Sequence, residues 1–204
     1  MPVEFIGFLG NHNSSEIIPR SGPVVDPDYI GTLAKGHEYA GFDRALLAFH
    51  ADAPDPLVIG HHAAHVTERL GIFIAYRPGF IAPTVLARQF ATLDQLSRGR
   101  VSFNVITGAE QKELGRDGNL VGDKDERYAR TNEFLDVVRL EWTSRELFTY
   151  KGKYYQVENG FPLDPMGYCA TNRRPRRSSF RQSPRGRLRS LDPLRRARRP
   201  RARL

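Results

Sequence analysis

The chain has 204 residues, room for one sizeable domain, and a net charge of +8. Residues 170–204 hold 14 Arg, no Lys and one acid, Asp192, so the remaining body is mildly acidic and its composition does not describe a nucleic-acid-binding domain. The single cysteine, Cys169, excludes an intrachain disulfide and fits a reducing cytoplasm; there is no apolar run of about 18 residues for a membrane span, and Met1-Pro2-Val3-Glu4 lacks the basic flank of a signal peptide.

In chain order, Val3–Leu9 is a short apolar run and reads as a buried strand, followed by the polar loop Gly10-Asn11-His12-Asn13. Asp26-Pro27 starts a helix, with Asp as N-cap and Pro at the first helical position, and Gly41 stops it. Phe42–Phe49 is a second strand. Asp55-Pro56 repeats the helix-start chemistry and opens a helix to about Glu68, and Leu70–Tyr76 is a third strand. The helix within Pro83–Ser97 carries Leu86, Phe90, Leu93 and Leu96 on one stripe, with Gly99 as its stop and Val101–Ile106 as a fourth strand. After a loop, Asp123 starts another helix, with Thr131, Leu135, Val138 and Trp142 facing inward. Leu147–Val157 reads as a hairpin turning at Lys151-Gly152-Lys153.

Strands that alternate with helices imply a parallel sheet, and continuous apolar strands imply that both faces are covered. Residues 1–165 are therefore an α/β domain, either half of a (β/α)8 barrel or a small open sheet; periodicity does not separate the two. Residues 166–204 form a separate Arg- and Pro-rich tail, too charged and too poor in apolar residues to fold alone, hence disordered.

Ligands of parallel α/β proteins sit beyond the carboxyl ends of the strands. That rule selects Asn11 and His12, then His50, Asp52 and Asp55, then Tyr76 and Arg77, then Asn104, Thr107 and Gly108. The enrichment suits a polar, anionic ligand. His61, His62 and His65 share one helix, but no carboxylate partner completes a metal site, and no metal is expected.

Several segments act as a set. Pro83-Thr84, Ala87-Arg88-Gln89, Ala91-Thr92-Leu93-Asp94, Ser97-Arg98-Gly99-Arg100 and Asn104-Val105-Ile106-Thr107-Gly108 form one block; Glu126-Arg127-Tyr128 with Glu133-Phe134 form another. Together with Phe8-Leu9 before Asn11-His12, and Lys151-Gly152-Lys153-Tyr154-Tyr155 before Val157-Glu158-Asn159, they resemble the luciferase-like flavin-dependent monooxygenases, in their alkanesulfonate branch, over about residues 1–165.

The resemblance implies a TIM (β/α)8 barrel, here its N-terminal half. It implies reduced FMN supplied by a separate NAD(P)H-dependent flavin reductase, reaction with O2 through a peroxyflavin, and oxygenation of a small organosulfur substrate. The flavin carries the reactive chemistry, while the protein orients it and excludes water. The family is cytoplasmic and usually homo-oligomeric, with no membrane and no specific nucleic acid among its partners.

Carried over by motif, Asn104 and Thr107 lie beside the flavin, and the Tyr128 hydroxyl reaches its phosphate near a helix N-terminus. Lys124 stands where many relatives have His and would attract the phosphate as a point charge. Asp55 is a helix N-cap first and a flavin contact second. The implied catalytic residues are His12, as hydrogen-bond donor or proton shuttle, and Arg77, as a bidentate anchor for an anionic head. Sulfonate enzymes carry a cysteine after strand two, where this chain has Ala53, a departure that bears on substrate class.

The family continues past the hairpin with a fifth strand, a Gly-Gly-Ser phosphate turn and the second half of the barrel. This chain switches instead to Arg-Pro-Arg-Arg-Ser-Ser, as a reading-frame shift near residues 165–175 of a GC-rich gene would produce. Unpaired edges on strands one and four then predict poor solubility, with weak or absent FMN binding by the isolated chain. The competing reading is a phosphate-gripping Arg tail; fourteen arginines bind RNA without sequence preference at low salt.

Overall fold

Side-chain chemistry sets the helix starts. In the computed structural model, which describes residues 3–13, 16–19, 21–108, 111–118, 122–163, 180–182 and 188–190, Asp26 accepts from the Tyr29 amide at 3.0 Å and opens α1 (Pro27–Tyr39). Asp55 accepts from the Leu57 and Val58 amides at 2.8 and 3.0 Å and opens α2 (Pro56–Val66). Proline fixes the first φ of both helices, and of α3 (Pro83–Leu96), whose N-cap Ala82 offers no side-chain acceptor. The α3 exit is left-handed at Arg98 (φ 60°) and Gly99 (φ 82°), where the Gly99 amide reaches back to the Asp94 carbonyl at 2.8 Å.

Four parallel strands, β1 (Ile6–Phe8), β2 (Arg44–Leu47), β3 (Gly71–Tyr76) and β4 (Val101–Val105), lie side by side in sequence order. The register aligns Gly7 with Ala45, Ala45 with Ile72, and Ile74 with Phe103. These residues share one face, and every preceding helix packs there. A side chain at Gly7 would run into His37 of α1; Gly60 of α2 sits under Ile72 and Ile74; Phe90 of α3 lies 4.8 Å from Phe103. A doubly wound sheet reverses its strand order and takes helices on both faces. Sequential order with helices on one face is the winding of a barrel wall.

The opposite face carries the row Phe8, Leu46, Phe73 and Ser102. At its β1 edge it is open: Ile6 is 46% and Phe8 60% exposed. The sequence predicts both faces covered, and this face departs from that; an apolar run identifies a strand without saying what lies opposite it. The strands are also shorter than the apolar runs. Val3–Phe5, Phe42 and Phe49 fall outside the paired ladders, although the Leu9 amide still donates to the Leu46 carbonyl at 2.9 Å.

The amino ends of the strands are tied by two charged side chains. Arg100 donates from Nε to the Ser97 carbonyl, from Nη1 to Thr67 Oγ1 and the Leu70 carbonyl, and from Nη2 to the Ala64 and Thr67 carbonyls, at 2.7–3.1 Å. The Glu38 carboxylate accepts from the amides of Glu68, Arg69 and Leu70. Burial pushes its pKa up, but these amides outweigh that and hold it below the usual carboxylate range.

After β4 come α4 (Gln111–Arg116) and α5 (Lys124–Thr143), the latter capped by Asp123. The sequence reads the first of these as loop; six residues are too few for a helical stripe. α5 buries Phe134, Leu135, Val137 and Val138, and its Trp142 indole donates to the Ala87 carbonyl of α3 at 2.9 Å. The hairpin β5 (Phe148–Lys151) and β6 (Gln156–Gly160) is moored to α5 by Glu133, which accepts from the amides of Lys153, Tyr154 and Tyr155.

The chain divides into two compact units, Met1–Thr171 and Asn172–Leu204. In the second, β7 (Phe180–Gln182) and β8 (Leu188–Ser190) pair antiparallel, Phe180 opposite Ser190. Cys169 and the rest of the Arg-rich tail lie outside the described residues.

Candidate functional site

All four strands point their carboxyl ends the same way, so the segments after them share one rim. Arg77, one residue past β3, is only 4% exposed. Its Nη2 donates to Glu113 Oε1 of α4 at 2.6 Å and, weakly, to the Phe49 carbonyl at 3.5 Å; its guanidinium carbon stands 5.3 Å from the centre of the Phe49 ring. Nε and Nη1 are buried and have no hydrogen-bond partner among the described residues. A buried guanidinium with three of its five N–H donors unused is costly unless a ligand takes them.

Glu113 is the residue that sequence reading missed. Its Oε1 also accepts from the Ala51 amide at 3.4 Å and lies 3.6 Å from His50 Nδ1. The Arg77 hydrogen bond leads the effects that hold the Glu113 carboxyl below its ordinary pKa, against the opposing effect of burial. Leu114, 3% exposed, anchors α4 beside Gly108; with φ +81°, that position leaves no room for a side chain against Leu114. Arg116 adds a long contact to Asp52, 3.9 Å. Glu113 is thus the bolt that fastens α4 over the ends of β2 and β3.

Under the rim runs an aromatic layer. Phe49 meets Tyr76 edge-on at 5.0 Å and stacks on Phe80 at 6.0 Å; Tyr76 meets Phe90 at 6.3 Å. Burial, then the Asp55 charge, pushes the Tyr76 hydroxyl up to about 12, so at neutral pH it is a proton donor and not a base.

The other selected residues fall into three groups. Beyond β1 and β2 a cleft of about 70 Å³ opens between Phe8, Gly10, Asn11, His50, Ala53 and Pro56. Ligand sites typically enclose about 300–1,000 Å³, so this cleft is too small to hold a whole cofactor. His12 borders the same loop and is half-buried, with Nδ1 buried and unpartnered among the described residues. Asp55 caps α2 at the cleft mouth with its Oδ1 engaged by two amides. In the second group, Asn104 stands opposite Ala75 on the sheet face away from the helices, and Thr107 follows two residues after β4; both are half-buried.

Lys124 and Tyr128 form the third group, in the first turns of α5. The Lys124 ammonium lies 5.9 Å from the Tyr128 ring centre, and Tyr128 is 45% exposed. Among the described residues no hydrogen bond or ion pair joins this pair to Asn104 or His12. α5 reaches the rim through Arg130, whose Nη2 approaches the Gly79 carbonyl at 3.5 Å. His62 Nε2 sits 3.1 Å from the Pro27 carbonyl, while His61 and His65 are exposed. Among the described residues no group of three or more His, Cys, Asp or Glu could hold a metal ion, and no helix is long and apolar enough to cross a membrane.

This geometry has known counterparts. Solved structures similar to the chain include EDTA monooxygenase from Chelativorans sp. BNC1 (TM-score 0.69, 23% identity, 79% of this chain and 46% of that one). They also include the oxygenating constituent of 3,6-diketocamphane monooxygenase from Pseudomonas putida, solved with FMN (TM-score 0.64, 21% identity, 80% and 45%). A third is an F420-dependent secondary alcohol dehydrogenase (TM-score 0.65, 23% identity, 79% and 48%). At such identities the likeness establishes fold: a parallel α/β architecture of luciferase-like TIM-barrel type, of which this chain spans a little under half the length of those structures. The family model for luciferase-like monooxygenase matches residues 3–168, well over half of the sequence. By that match the chain belongs to the luciferase-like monooxygenase family, whose members are oxidoreductases.

Proposed function

We propose that this chain supplies the first half of the active site of an FMN-dependent monooxygenase that oxygenates a small organic anion of alkanesulfonate type. The observation that carries the reading is the set of buried donors at the strand rim, Arg77 Nε and Nη1, that have no partner among the described residues, with His12 Nδ1 likewise unpartnered among them. Such atoms fit a polar, anionic ligand, and flavin phosphate and substrate head are both anionic. A solved neighbour carries FMN and another is F420-dependent, which supports a flavin-type cofactor. The EDTA monooxygenase supports an acidic substrate.

In this reading Asn104 and Thr107 hydrogen-bond the flavin from the end of β4, and Lys124 and Tyr128 take its phosphate at the start of α5. Arg77 holds the substrate's oxyanion with the donors that Glu113 leaves free, and Glu113 keeps the guanidinium in place. His12 donates a hydrogen bond or relays a proton, and Asp55 borders the cofactor while capping α2. Reduced FMN, delivered by a separate NAD(P)H-dependent reductase, would supply the electrons that send one oxygen atom of O2 to the substrate and the other to water. The barrel domain ends near residue 165 with the tail as a separate segment, and the setting is cytoplasmic.

Titration of the chain with FMN and with riboflavin, followed by flavin fluorescence, tests this. Weak, saturable FMN binding is expected, with riboflavin weaker. Tyr128→Phe with Lys124→Ala should cost roughly tenfold in FMN affinity and leave riboflavin unchanged, since a charge-assisted hydrogen bond contributes about 1.5–3 kcal/mol. Equal affinity for the two flavins, or no effect of the double substitution, rejects the phosphate assignment.

A further inference from the structure

The cleft beyond β1 and β2 is walled mainly by apolar groups, among them Phe8, Leu47, Ala48, Ala53, Pro56 and Ile59. Two residues on from the Phe8–Leu46 pair, Gly10 and Ala48 lie on the same sheet face, one step nearer the carboxyl ends. Their small size opens the space. The two polar side chains of the lining are each drawn to another partner. Asn11 donates its amide to the Val24 carbonyl at 2.7 Å, and His50 Nδ1 lies 3.6 Å from Glu113 Oε1. A concave wall of this kind favours hydrocarbon over water.

That wall adjoins the buried cation of the rim. Ala48 and His50 line the cleft, while Phe49 between them holds its ring 5.3 Å from the Arg77 guanidinium carbon. Glu113 Oε1 accepts from Arg77 Nη2 at 2.6 Å and lies 3.6 Å from His50. One carboxylate oxygen thus stands between the lining of the cleft and the guanidinium. We propose that the cleft seats the apolar end of the substrate, a short saturated chain, and that Ala53 sets the chain length admitted. This rests on reading Arg77 as the anchor of an anionic head, and it adds what that head carries.

Size decides the class of chain. An apolar cavity of about 150 Å³ takes a benzene ring, so a cleft of about 70 Å³ takes about three carbons. Leu47 and Ile59, 2% and 8% exposed, are the buried part of the lining and limit its depth. Ala53 is exposed and precedes the α2 cap Asp55 by two residues, so a longer side chain there narrows the cleft without entering the core. A longer substrate chain leaves the cleft and gains no further burial in it. The substrate class is therefore a short-chain alkyl anion, with its charge on the Arg77 side and its hydrocarbon between β1 and α2.

The test titrates the full, nuclease-treated chain with methanesulfonate, 1-propanesulfonate and 1-hexanesulfonate, following the NMR resonances of Leu47, His50 and Ile59. Propanesulfonate is expected to bind about tenfold tighter than methanesulfonate, the gain from burying two methylenes, and hexanesulfonate no tighter than propanesulfonate. Ala53→Leu should bring propanesulfonate down to the methanesulfonate affinity and leave methanesulfonate unchanged. Arg77→Met should abolish saturable binding of all three. If Ala53→Leu fails to fold, the unsubstituted chain decides: nuclear Overhauser effects should join the terminal methyl of propanesulfonate to Leu47 and Ile59. Affinities that depend on Arg77 but not on chain length overturn the tail assignment and leave the anionic head standing; no saturable binding of any sulfonate overturns both. Affinity that keeps rising through hexanesulfonate, a chain-length preference unchanged in folded Ala53→Leu, or FMN that displaces propanesulfonate from Leu47 and Ile59 and so makes the cleft a cofactor seat, would each overturn the proposal as well.

Discussion

The two ends of the sheet use arginine in opposite ways. At the amino end Arg100 directs all five N–H donors to acceptors of Ala64, Thr67, Leu70 and Ser97. At the carboxyl end Arg77 is more deeply buried yet, among the described residues, engages only Nη2, leaving Nε and Nη1 without partners there. Both positions place a charge in poor solvent; only one arranges for the whole charge to be satisfied by the fold. The amino end is where polar atoms hold the domain together. The carboxyl end keeps polar capacity in reserve, which is the arrangement expected where a ligand completes the hydrogen bonding.

That contrast can be broken by urea denaturation. Arg100→Met should cost about 3 kcal/mol or more, because four backbone carbonyls and a threonine hydroxyl lose a charged donor together. Glu38→Gln should follow in size, at about 1–3 kcal/mol at neutral pH, since an amide oxygen accepts from the three backbone amides less strongly than a carboxylate. Its effect depends on pH with a definite sign. The folded-state pKa of Glu38 lies below its ordinary value near 4.5, so its contribution is fully present above that pH and is lost as the pH falls through the folded pKa. The stability difference between wild type and Glu38→Gln should therefore shrink in acid; a difference that stays constant from neutral pH into acid would show that Glu38 acts through packing.

Arg77→Met is expected to be the mildest of the three in stability, below about 1.5 kcal/mol, because removing three unpartnered donors offsets the loss of the Glu113 pair. A cost equal to that of Arg100→Met would erase the distinction between the two ends.

How much of this was readable in the chain depends on distance along it. The starts of α1, α2 and α5 were legible because Asp26, Asp55 and Asp123 act on amides two or three residues away. The order of strands and helices followed from local periodicity. The polar ends of β1 and β4, with Asn11, His12, Asn104 and Thr107, were legible by the rule for parallel sheets; what they bind is the proposal made above. The Arg77–Glu113 pair was not legible, because it joins residues 36 positions apart through a six-residue helix that leaves no periodic trace. Nor was the exposure of Phe8, since one strand's composition does not say whether a further layer covers it. Glu133 was noticed as part of a motif. Its observed role, three amides of the hairpin on one carboxylate, needed the fold to bring residues 153–155 back to α5.

The strand order β1-β2-β3-β4 has a consequence for how the protein is made. Each strand of this sheet pairs with the one synthesised just before it, and each pairing waits only for the one crossover helix between them, as from Ile6 to Arg44, Arg44 to Gly71 and Ile72 to Val101. A ribosome delivering the chain amino end first would let every β/α unit settle on the edge left by its predecessor, with no strand waiting for a distant partner. The growing edge moves forward with synthesis, while the edge at Ile6–Phe8 stands open from the beginning.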